Sequence, residues 1–290
     1  MLKPFHLVQP SSVAEACSEL GRLGDGAKVY AGGAELILLM RQGVLEADYL
    51  VDVKHLPGLG TLSLDGETVH IGAAVTHRTL ESSPLIREQI PVLADAELDI
   101  GNIRVRTQGT LGGNLCFADP HSDPPTALLM HDALATVASG DSVRTIPMDE
   151  FLVGTYETTL APDELLTEVI VPVLPAGWHG SFQRMEQFYR PTANAAAAIT
   201  MADGHVAGAR LVVGCVGPRA LRLPRLEEAV SGLTVAEARR VITDAQSYLE
   251  ATLDPVGDLL GSVPYKLHLT TVLLGRALAQ AAVGRENGHG

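Results

Sequence analysis

The sequence is poor in cysteine and in positive charge, and each of these two shortages excludes a class of function. The three cysteines, Cys17, Cys116 and Cys215, are widely scattered and lack the paired spacing of a zinc or iron–sulfur site. Their odd number and separation predict a reduced, cytoplasmic protein with no metal site of its own. A formal net charge of -13 argues against nucleic-acid binding, because phosphate contacts need clustered Lys and Arg.

The common membrane, nucleotide and hydrolase signatures are also missing from the sequence. No run of about 18 apolar residues occurs, so we expect that this protein is not an integral membrane protein. The first residues also lack the apolar core of a secretory signal. There is no P-loop and no Rossmann G-x-G-x-x-G motif after a strand. There is also no G-x-S-x-G or H-E-x-x-H motif. P-loop chemistry is therefore excluded and a Rossmann NAD site is not expected, and these motifs single out no catalytic acid, base or nucleophile.

Two glycine motifs are the most informative features that the sequence does contain. Gly32-Gly33 follows a predicted strand, and Gly112-Gly113 follows Thr110-Leu111 further along the chain. Glycine pairs serve where the backbone takes a positive φ or approaches a ligand, and successive free N–H groups can bind phosphate oxygens. Each motif alone is typical of a structural turn. Together they predict two turns that hold an extended diphosphate between two subdomains.

The hydrophobic pattern predicts an α+β protein with three regions. Residues 1–56 follow the order helix, strand, turn, helix, strand, and residues 57–175 continue with short strands and helices. The apolar runs and amphipathic stretches within residues 178–285 predict a C-terminal domain in which an antiparallel sheet packs against helices. At 290 residues the chain is long enough to bury about three quarters of its unfolded surface. The individual elements include strands at 49–53, 193–201 and 206–216, and helices at 12–24, 234–253 and 265–282.

Several polar residues near the glycine motifs have two interpretations each. Asp123 is either the N-cap of a helix that begins with Pro124-Pro125 or an acceptor for ribose-like hydroxyls. Arg104 and Arg106 either help to neutralise a diphosphate or make surface or intersubunit ion pairs. The sequence alone leaves both pairs of alternatives open.

Six segments, taken in order, resemble the FAD-binding subunit of the molybdenum hydroxylases. This group includes aerobic carbon monoxide dehydrogenase and the flavin domain of xanthine dehydrogenase. The resemblance spans nearly the whole chain. Its segments are Ala31-Gly32-Gly33-Ala34-Glu35, Val51-Asp52-Val53, Ile71 to Thr76, Ile103-Arg104 through Thr110-Leu111-Gly112-Gly113-Asn114-Leu115, Asp119-Pro120 through Asp123, and Leu165 to Pro172.

The resemblance implies a fold of the vanillyl-alcohol oxidase and p-cresol methylhydroxylase type, with a small α+β C-terminal domain. The chain would be an oxidoreductase subunit that carries FAD and passes electrons to an external acceptor. Its implied partners are a large molybdopterin-binding subunit and a small [2Fe–2S] subunit, in a dimer of heterotrimers. Because hydroxylation belongs to the molybdenum subunit, carbon monoxide, N-heterocycles and aldehydes all stay open as substrates, and the acceptor stays open too.

The resemblance also implies which residues contact FAD. Ile100 and Leu166 would flank the adenine, Asp123 would bind hydroxyls, and Arg184 would stand near the flavin, where a structural salt bridge is the alternative. Two departures from the family pattern, at Ala34 and at Pro191-Thr192, leave the contacts of the flavin ring open. The residues that would hold the diphosphate and adjoining groups are Val29, Tyr30, Ala31, Gly32, Gly33, Ala34, Glu35, Leu36, Thr110, Leu111, Gly112, Gly113 and Asn114, and Leu36 would also approach the isoalloxazine.

Two other classes of function remain compatible with the sequence. A self-contained FAD-dependent oxidase or dehydrogenase would reduce its flavin with substrate and without partners. A scaffold without flavin would purify as a colourless protein. Both differ from the electron-transfer subunit in a property that can be measured.

Overall fold

The computed structural model describes residues 2–187 and 190–284. Met1 and Arg285, which bound two of the predicted domains, lie outside the described residues. The chain divides into two compact units. The first unit holds the residues up to Leu85, Ile100–Ala118 and Ala133–Pro172, and the second holds Ile86–Asp99, Asp119–Asp132 and the residues from Val173 onward.

The strands and helices of the described residues occur in runs of one kind as well as in alternation. The strands are His6–Val8 (β1), Ala27–Tyr30 (β2), Tyr49–Asp52 (β3), Leu62–Asp65 (β4), Thr68–Gly72 (β5), Leu134–Ser139 (β6), Ser142–Pro147 (β7), Leu152–Gly154 (β8), Glu157–Thr158 (β9), Leu165–Pro172 (β10), Trp178–Gln187 (β11), Arg190–Ala202 (β12), His205–Gly214 (β13) and Leu221–Arg222 (β14). The helices are Val13–Leu23 (α1), Leu36–Gln42 (α2), His77–Ser82 (α3), Pro84–Gln89 (α4), Pro91–Leu98 (α5), Ile103–Gln108 (α6), Leu111–Phe117 (α7), Pro124–Met130 (α8), Met148–Phe151 (α9), Pro224–Val230 (α10), Val235–Asp244 (α11), Gln246–Leu253 (α12) and Val263–Val283 (α13), with a short 3-10 turn at Gly24–Gly26.

The first unit contains a parallel sheet in the order β1-β3-β2 and an antiparallel sheet in the order β4-β5-β10-β6-β7. Helix α1 is amphipathic, and Ser12 caps its start by accepting a hydrogen bond from the N–H of Glu15. Its buried face, which includes Cys17 and Leu20, shares one core with Val51 of β3 and Leu165 of β10. Helix α1 therefore joins the two sheets of this unit.

The second unit is built on the antiparallel sheet β11-β12-β13-β14. Its central strand, β12, is an alanine-rich run that is buried on both faces. Because side chains alternate along a strand, Ala193, Ala195 and Ala197 point into the core formed with helices α10 to α13. The alternate residues, which begin with Asn194, point to the opposite face, where α8 packs.

The structure differs from the sequence prediction at a few elements. The helix predicted over 234–253 is two helices, because the backbone at Ala245 leaves the helical region with φ -82° and ψ 12°. Strand β1 was missed because it has only three residues and its pairing partner, β3, lies far along the chain. Among residues 2–187 and 190–284, no helix has the length and apolarity needed to cross a membrane.

Candidate functional site

The two glycine motifs lie side by side in the first unit. A Cβ placed on Gly32 would lie 1.7 Å from the carbonyl oxygen of Gln108 and 3.0 Å from the Cα of Gly109. A Cβ on Gly112 would lie 2.6 Å from the Cβ of Ala73. Only glycine permits both approaches. The segments around 31–35, 71–76 and 110–114 therefore form one packed cluster.

The first glycine loop presents backbone donors that the fold does not use. Within the described parts of the chain, the N–H groups of Gly32, Gly33 and Ala34 make no hydrogen bond. Gly33 has φ +72°, a left-handed conformation that glycine adopts without strain. Consecutive free N–H groups around such a residue form a concave anion site. This loop, between β2 and α2, can bind a phosphate group.

A cation is held close to this loop. The ammonium of Lys54 lies 3.8 Å from the centroid of the Tyr30 ring and 3.4 Å from a carboxylate oxygen of Asp52. The edge of the same ring packs against Gly33, where an added Cβ would lie 2.4 Å from the Tyr30 Cε2. The Lys54 ammonium and its Asp52 partner therefore lie against the ring that packs on the loop, an arrangement that sequence reasoning missed.

The N–H groups of the second glycine motif are already used within the fold. Leu111 donates to the carbonyl of Val75 (3.0 Å), and Gly112 donates to the carbonyl of Ala73 (2.9 Å). Gly113 donates to the hydroxyl oxygen of Thr110 (3.0 Å), which caps α7. The expectation of free phosphate-binding amides in this motif is therefore wrong, because the carbonyls of Ala73 and Val75, which follow β5, and the Thr110 hydroxyl take up those donors. Asn114 lies within the first turns of α7.

The predicted adenine contacts also lie in the first unit. Ile100 is half-buried, and its carbonyl accepts a hydrogen bond from Arg106 (3.1 Å). Arg106 also pairs with the Glu81 carboxylate (2.9 Å), and this ion pair lies within the chain and is largely buried instead of lying at the surface. Burial opposes the charge of Glu81, but hydrogen bonds from Arg78 and Arg106 hold its pKa below the usual value. Leu166 is buried in β10 beside an irregularity in the pairing with β6.

The second unit holds Asp123 and Arg184 in a buried polar cluster. Arg184 of β11, Asn194 of β12 and Gly214 of β13 are directly paired across the sheet and share one face. Asp123, at the start of α8, accepts a hydrogen bond from the Asn194 amide (2.7 Å). The guanidinium Nε of Arg184 lies 3.4 Å from the other oxygen of Asp123.

Asp123 occupies the N-cap position of α8, immediately before Pro124-Pro125, as one of its two interpretations predicts. Its side chain makes no capping hydrogen bond to α8, so the carboxylate is left to other partners. Arg184 pairs with Asp99 (3.3 Å) and Glu186 (3.1 Å) as well as Asp123. The Arg184 Nε is buried and has no hydrogen-bond partner among the described residues, which leaves one strong donor available beside the Asp123 carboxylate.

The segment Pro191-Thr192, where the sequence departs from the family pattern, is held in place by neighbouring residues of the second unit. Arg190 forms an ion pair with Asp119 (2.9 Å), and the ring Nδ1 of His121 donates to the carbonyl of Pro191 (3.1 Å). Thr192 is buried, and its hydroxyl has no hydrogen-bond partner among the described residues. The start of β12 is therefore fixed by contacts to the segment just before α8.

Burial raises the pKa of Asp123 to about 6, although Arg184 and the Asn194 hydrogen bond act in the opposite direction. An acid whose folded-state pKa lies above its unfolded value stabilises the fold below the unfolded pKa, and this contribution is lost as the pH rises through the folded pKa. We therefore expect the unfolding free energy of the wild type, relative to Asp123→Asn, to increase as the pH falls from about 7 towards 4. Urea denaturation of both proteins across this pH range measures the difference in unfolding free energy. A difference that did not change with pH would contradict the raised pKa of Asp123.

Sequence reasoning missed the residues that surround Asp123. Asn194 hydrogen-bonds to Asp123, and Thr126 donates to the Asn194 carbonyl (2.7 Å). The signal was present in the sequence, since Asn194 is the only polar residue in the run from Ala193 to Ile199. A lone amide in a buried strand predicts a buried hydrogen-bond network.

Comparison with known proteins identifies the family of the chain. Residues 3–174 match the family described as the FAD binding domain in molybdopterin dehydrogenase, and residues 184–281 match the CO dehydrogenase flavoprotein C-terminal domain. The chain is 32% identical to the nicotine 6-hydroxylase medium subunit of Paenarthrobacter nicotinovorans, over 97% of this chain and 98% of that protein. It is 31% identical to the carbon monoxide dehydrogenase medium chain of Hydrogenophaga pseudoflava, over 97% and 98% respectively.

Solved structures agree with this assignment. Carbon monoxide dehydrogenase from Hydrogenophaga pseudoflava superposes with a TM-score of 0.92 at 31% identity, covering 98% of this chain and 99% of that chain. Quinoline 2-oxidoreductase from Pseudomonas putida 86 superposes with a TM-score of 0.90 at 27% identity, covering 98% of both chains. The resemblance inferred from the sequence is confirmed. The chain belongs to the family of FAD-binding medium subunits of molybdopterin hydroxylases, which are oxidoreductases.

Proposed function

We propose that this chain is the FAD-carrying electron-transfer subunit of a three-subunit molybdenum hydroxylase. In this proposal, electrons pass from a molybdopterin subunit, through a [2Fe–2S] subunit, to the flavin of this chain and then to an external acceptor. The observation that carries the proposal is the first glycine loop. Its three unused N–H groups around Gly33 fit a phosphate of FAD.

The chemistry of the remaining donors fits the same cofactor. In the first unit, Lys54 would add charge near the diphosphate, while Thr110 and Gly112 would support the loop by packing. In the second unit, Asp123 would accept a hydroxyl of FAD, and the Nε of Arg184, which has no hydrogen-bond partner among the described residues, would donate to a ligand acceptor. Bound FAD supplies a redox centre that this chain's side chains do not have. The protein's part is to bind and orient it.

We also propose the remaining contacts between this chain and FAD. Ile100 and Leu166 would flank the adenine, and Leu36 would approach the isoalloxazine. We keep 1–56 and 57–175 as the two FAD-binding subdomains, of the vanillyl-alcohol oxidase type, and 178–285 as the C-terminal domain. The complex would be a dimer of heterotrimers. All three cysteines are free thiols, which supports a place in the reducing cytoplasm.

Reconstitution of the complex tests the proposal. We expect the full-length chain to bind FAD non-covalently and to show the visible absorbance of a flavin. An organic substrate should leave this flavin oxidised until the molybdenum and iron–sulfur subunits are added. Direct reduction by the substrate in their absence would favour a self-contained oxidase, and a colourless protein that takes up no FAD would favour a scaffold.

Replacing Gly113 by valine tests the second glycine motif. Gly113 is exposed, and an added Cβ would contact only the Thr110 hydroxyl, at 2.9 Å. We therefore expect the fold to survive while the new side chain blocks the approach of FAD and the bound flavin falls sharply. Flavin absorbance per protein, with circular dichroism as the fold control, measures the effect. Gly60→Val is the matched control, since nothing lies within 4 Å of a Cβ at Gly60; equal FAD content in both variants would contradict the assignment.

A further inference from the structure

Asn194 is a fully buried amide in the middle of an alanine-rich strand. The alanines on either side of it in β12 are fully buried and carry no polar side-chain group. Burying an amide costs free energy unless each polar atom finds a partner. The residue therefore has a role that packing alone does not explain.

Every polar atom of Asn194 is engaged, and the fold makes room for the contacts. The amide Nδ2 donates to the Asp123 Oδ1 (2.7 Å) and approaches the Cys215 sulfur (3.2 Å), while the Oδ1 of Asn194 accepts from the Thr126 hydroxyl (2.7 Å). A Cβ on Gly214 would lie 2.2 Å from the Thr126 hydroxyl and 2.5 Å from the Asn194 Oδ1. Glycine at this position leaves space for the network.

The network divides the two oxygens of the Asp123 carboxylate. Oδ1 is held by Asn194, whereas Oδ2 lies 3.4 Å from the Arg184 Nε, beyond the distance of a normal N–H···O hydrogen bond. An ionised carboxylate can accept about four hydrogen bonds, so Oδ2 keeps acceptor capacity for a ligand. We propose that Asn194 is a positioning residue that fixes the Asp123 carboxylate and leaves Oδ2 as the acceptor for a hydroxyl of FAD. This inference rests on the proposed role of Asp123 in FAD binding.

An amide suits this position because it donates without adding charge. The carboxylate already faces the cation of Arg184, and the negative charges of Asp99 and Glu97 act on it as well. The Cys215 thiol stays neutral, because burial raises its pKa well above the usual value. The N–H of Asn194 stabilises the ionised form of Asp123, which is the form that accepts hydroxyl hydrogen bonds on both oxygens.

A double-mutant cycle on the full-length chain tests the proposal, with FAD affinity as the readout. We expect Asn194→Ala to weaken FAD binding about tenfold in the wild-type background, since a hydrogen bond to a charged group is lost. In the Asp123→Ala background the same change should have little effect, because the group through which Asn194 acts is gone. An equal loss in both backgrounds would show a purely structural role and would overturn the proposal.

A second variant and a pH profile separate the remaining outcomes. Thr126→Val removes the support of Asn194 without touching Asp123, and it should weaken FAD binding less than Asn194→Ala, again only when Asp123 is present. The pH at which FAD affinity changes with Asp123 ionisation should move upward in Asn194→Ala; an unmoved profile would count against the proposal.

Unchanged affinity in Asp123→Ala would overturn the proposal while leaving FAD binding intact. A wild-type chain that binds no FAD would overturn the proposed function itself.

Discussion

Replacing Gly32 by alanine is expected to lower the free energy of unfolding by about 3 kcal/mol and to abolish FAD binding. The new Cβ would lie 1.7 Å from the Gln108 carbonyl oxygen and 2.6 Å from the carbonyl carbon. Both are backbone atoms, so no rotamer change relieves the overlap and the two glycine motifs must move apart. Urea denaturation and titration of the full-length chain with FAD measure the two effects.

Gly60→Ala is the control for this prediction. Gly60 belongs to the same unit, and a Cβ there would meet nothing within 4 Å. Its unfolding free energy should stay within about 0.5 kcal/mol of the wild type, with FAD affinity unchanged. If Gly32→Ala behaved like this control, the close packing of the two motifs would not be a property of the protein.

The glycine motifs show what the sequence predicts and where prediction stops. Glycine pairs mark places where the backbone is tightly packed or strained, and that chemistry is visible in the residue types. Whether an N–H stays free depends on tertiary partners. In the second motif those partners are the carbonyls of Ala73 and Val75, about forty residues earlier in the chain. No local sequence pattern shows that these carbonyls lie within hydrogen-bond distance of the second motif. Of the two glycine motifs, only the first therefore has the free amides that the sequence predicts.

The sequence predicted the members of the polar cluster in the second unit only in part. The sequence singled out Asp123 and Arg184 individually but did not place them together. Their proximity depends on strand register, because Arg184 is paired with Asn194 and Asp123 reaches that row from the start of α8. Register is set by the whole sheet. The helices and strands with long periodic or apolar patterns were predicted, whereas the three-residue strand β1 and the break at Ala245 were not.

A second large effect is expected at Lys266, which is buried in α13 with 1% of its side chain exposed. Its ammonium donates to the Oδ2 of Asp258 (2.7 Å), and His121 lies 3.3 Å from the same oxygen. Burial opposes the charge of Asp258, but the hydrogen bonds from Lys266 and the N–H of Leu260 hold its pKa below the usual value. Asp258 is therefore ionised at neutral pH, and the stability that its lowered pKa contributes is lost only as the pH falls through that pKa.

We expect Asp258→Ala to destabilise the protein by about 3–5 kcal/mol, because it leaves the Lys266 ammonium buried without a partner. Lys266→Met should cost much less, since methionine fills a similar volume and needs no counter-ion. The double variant Asp258→Ala, Lys266→Met should therefore be more stable than Asp258→Ala alone. Urea denaturation of the four proteins at neutral pH gives the coupling directly.

The exposed pair formed by Lys3 and Glu46 separates this effect from the general loss of an ion pair. Both side chains are largely in water, where solvent and salt screen their attraction, so Glu46→Ala should leave the unfolding free energy unchanged within error. If Asp258→Ala were equally silent, or if Lys266→Met failed to rescue it, the cost would not come from an unpaired buried charge. A rescue would show that the cost comes from the unpaired Lys266 ammonium and not from the loop before α13, where Asp258 also accepts from the N–H of Leu260 (2.8 Å).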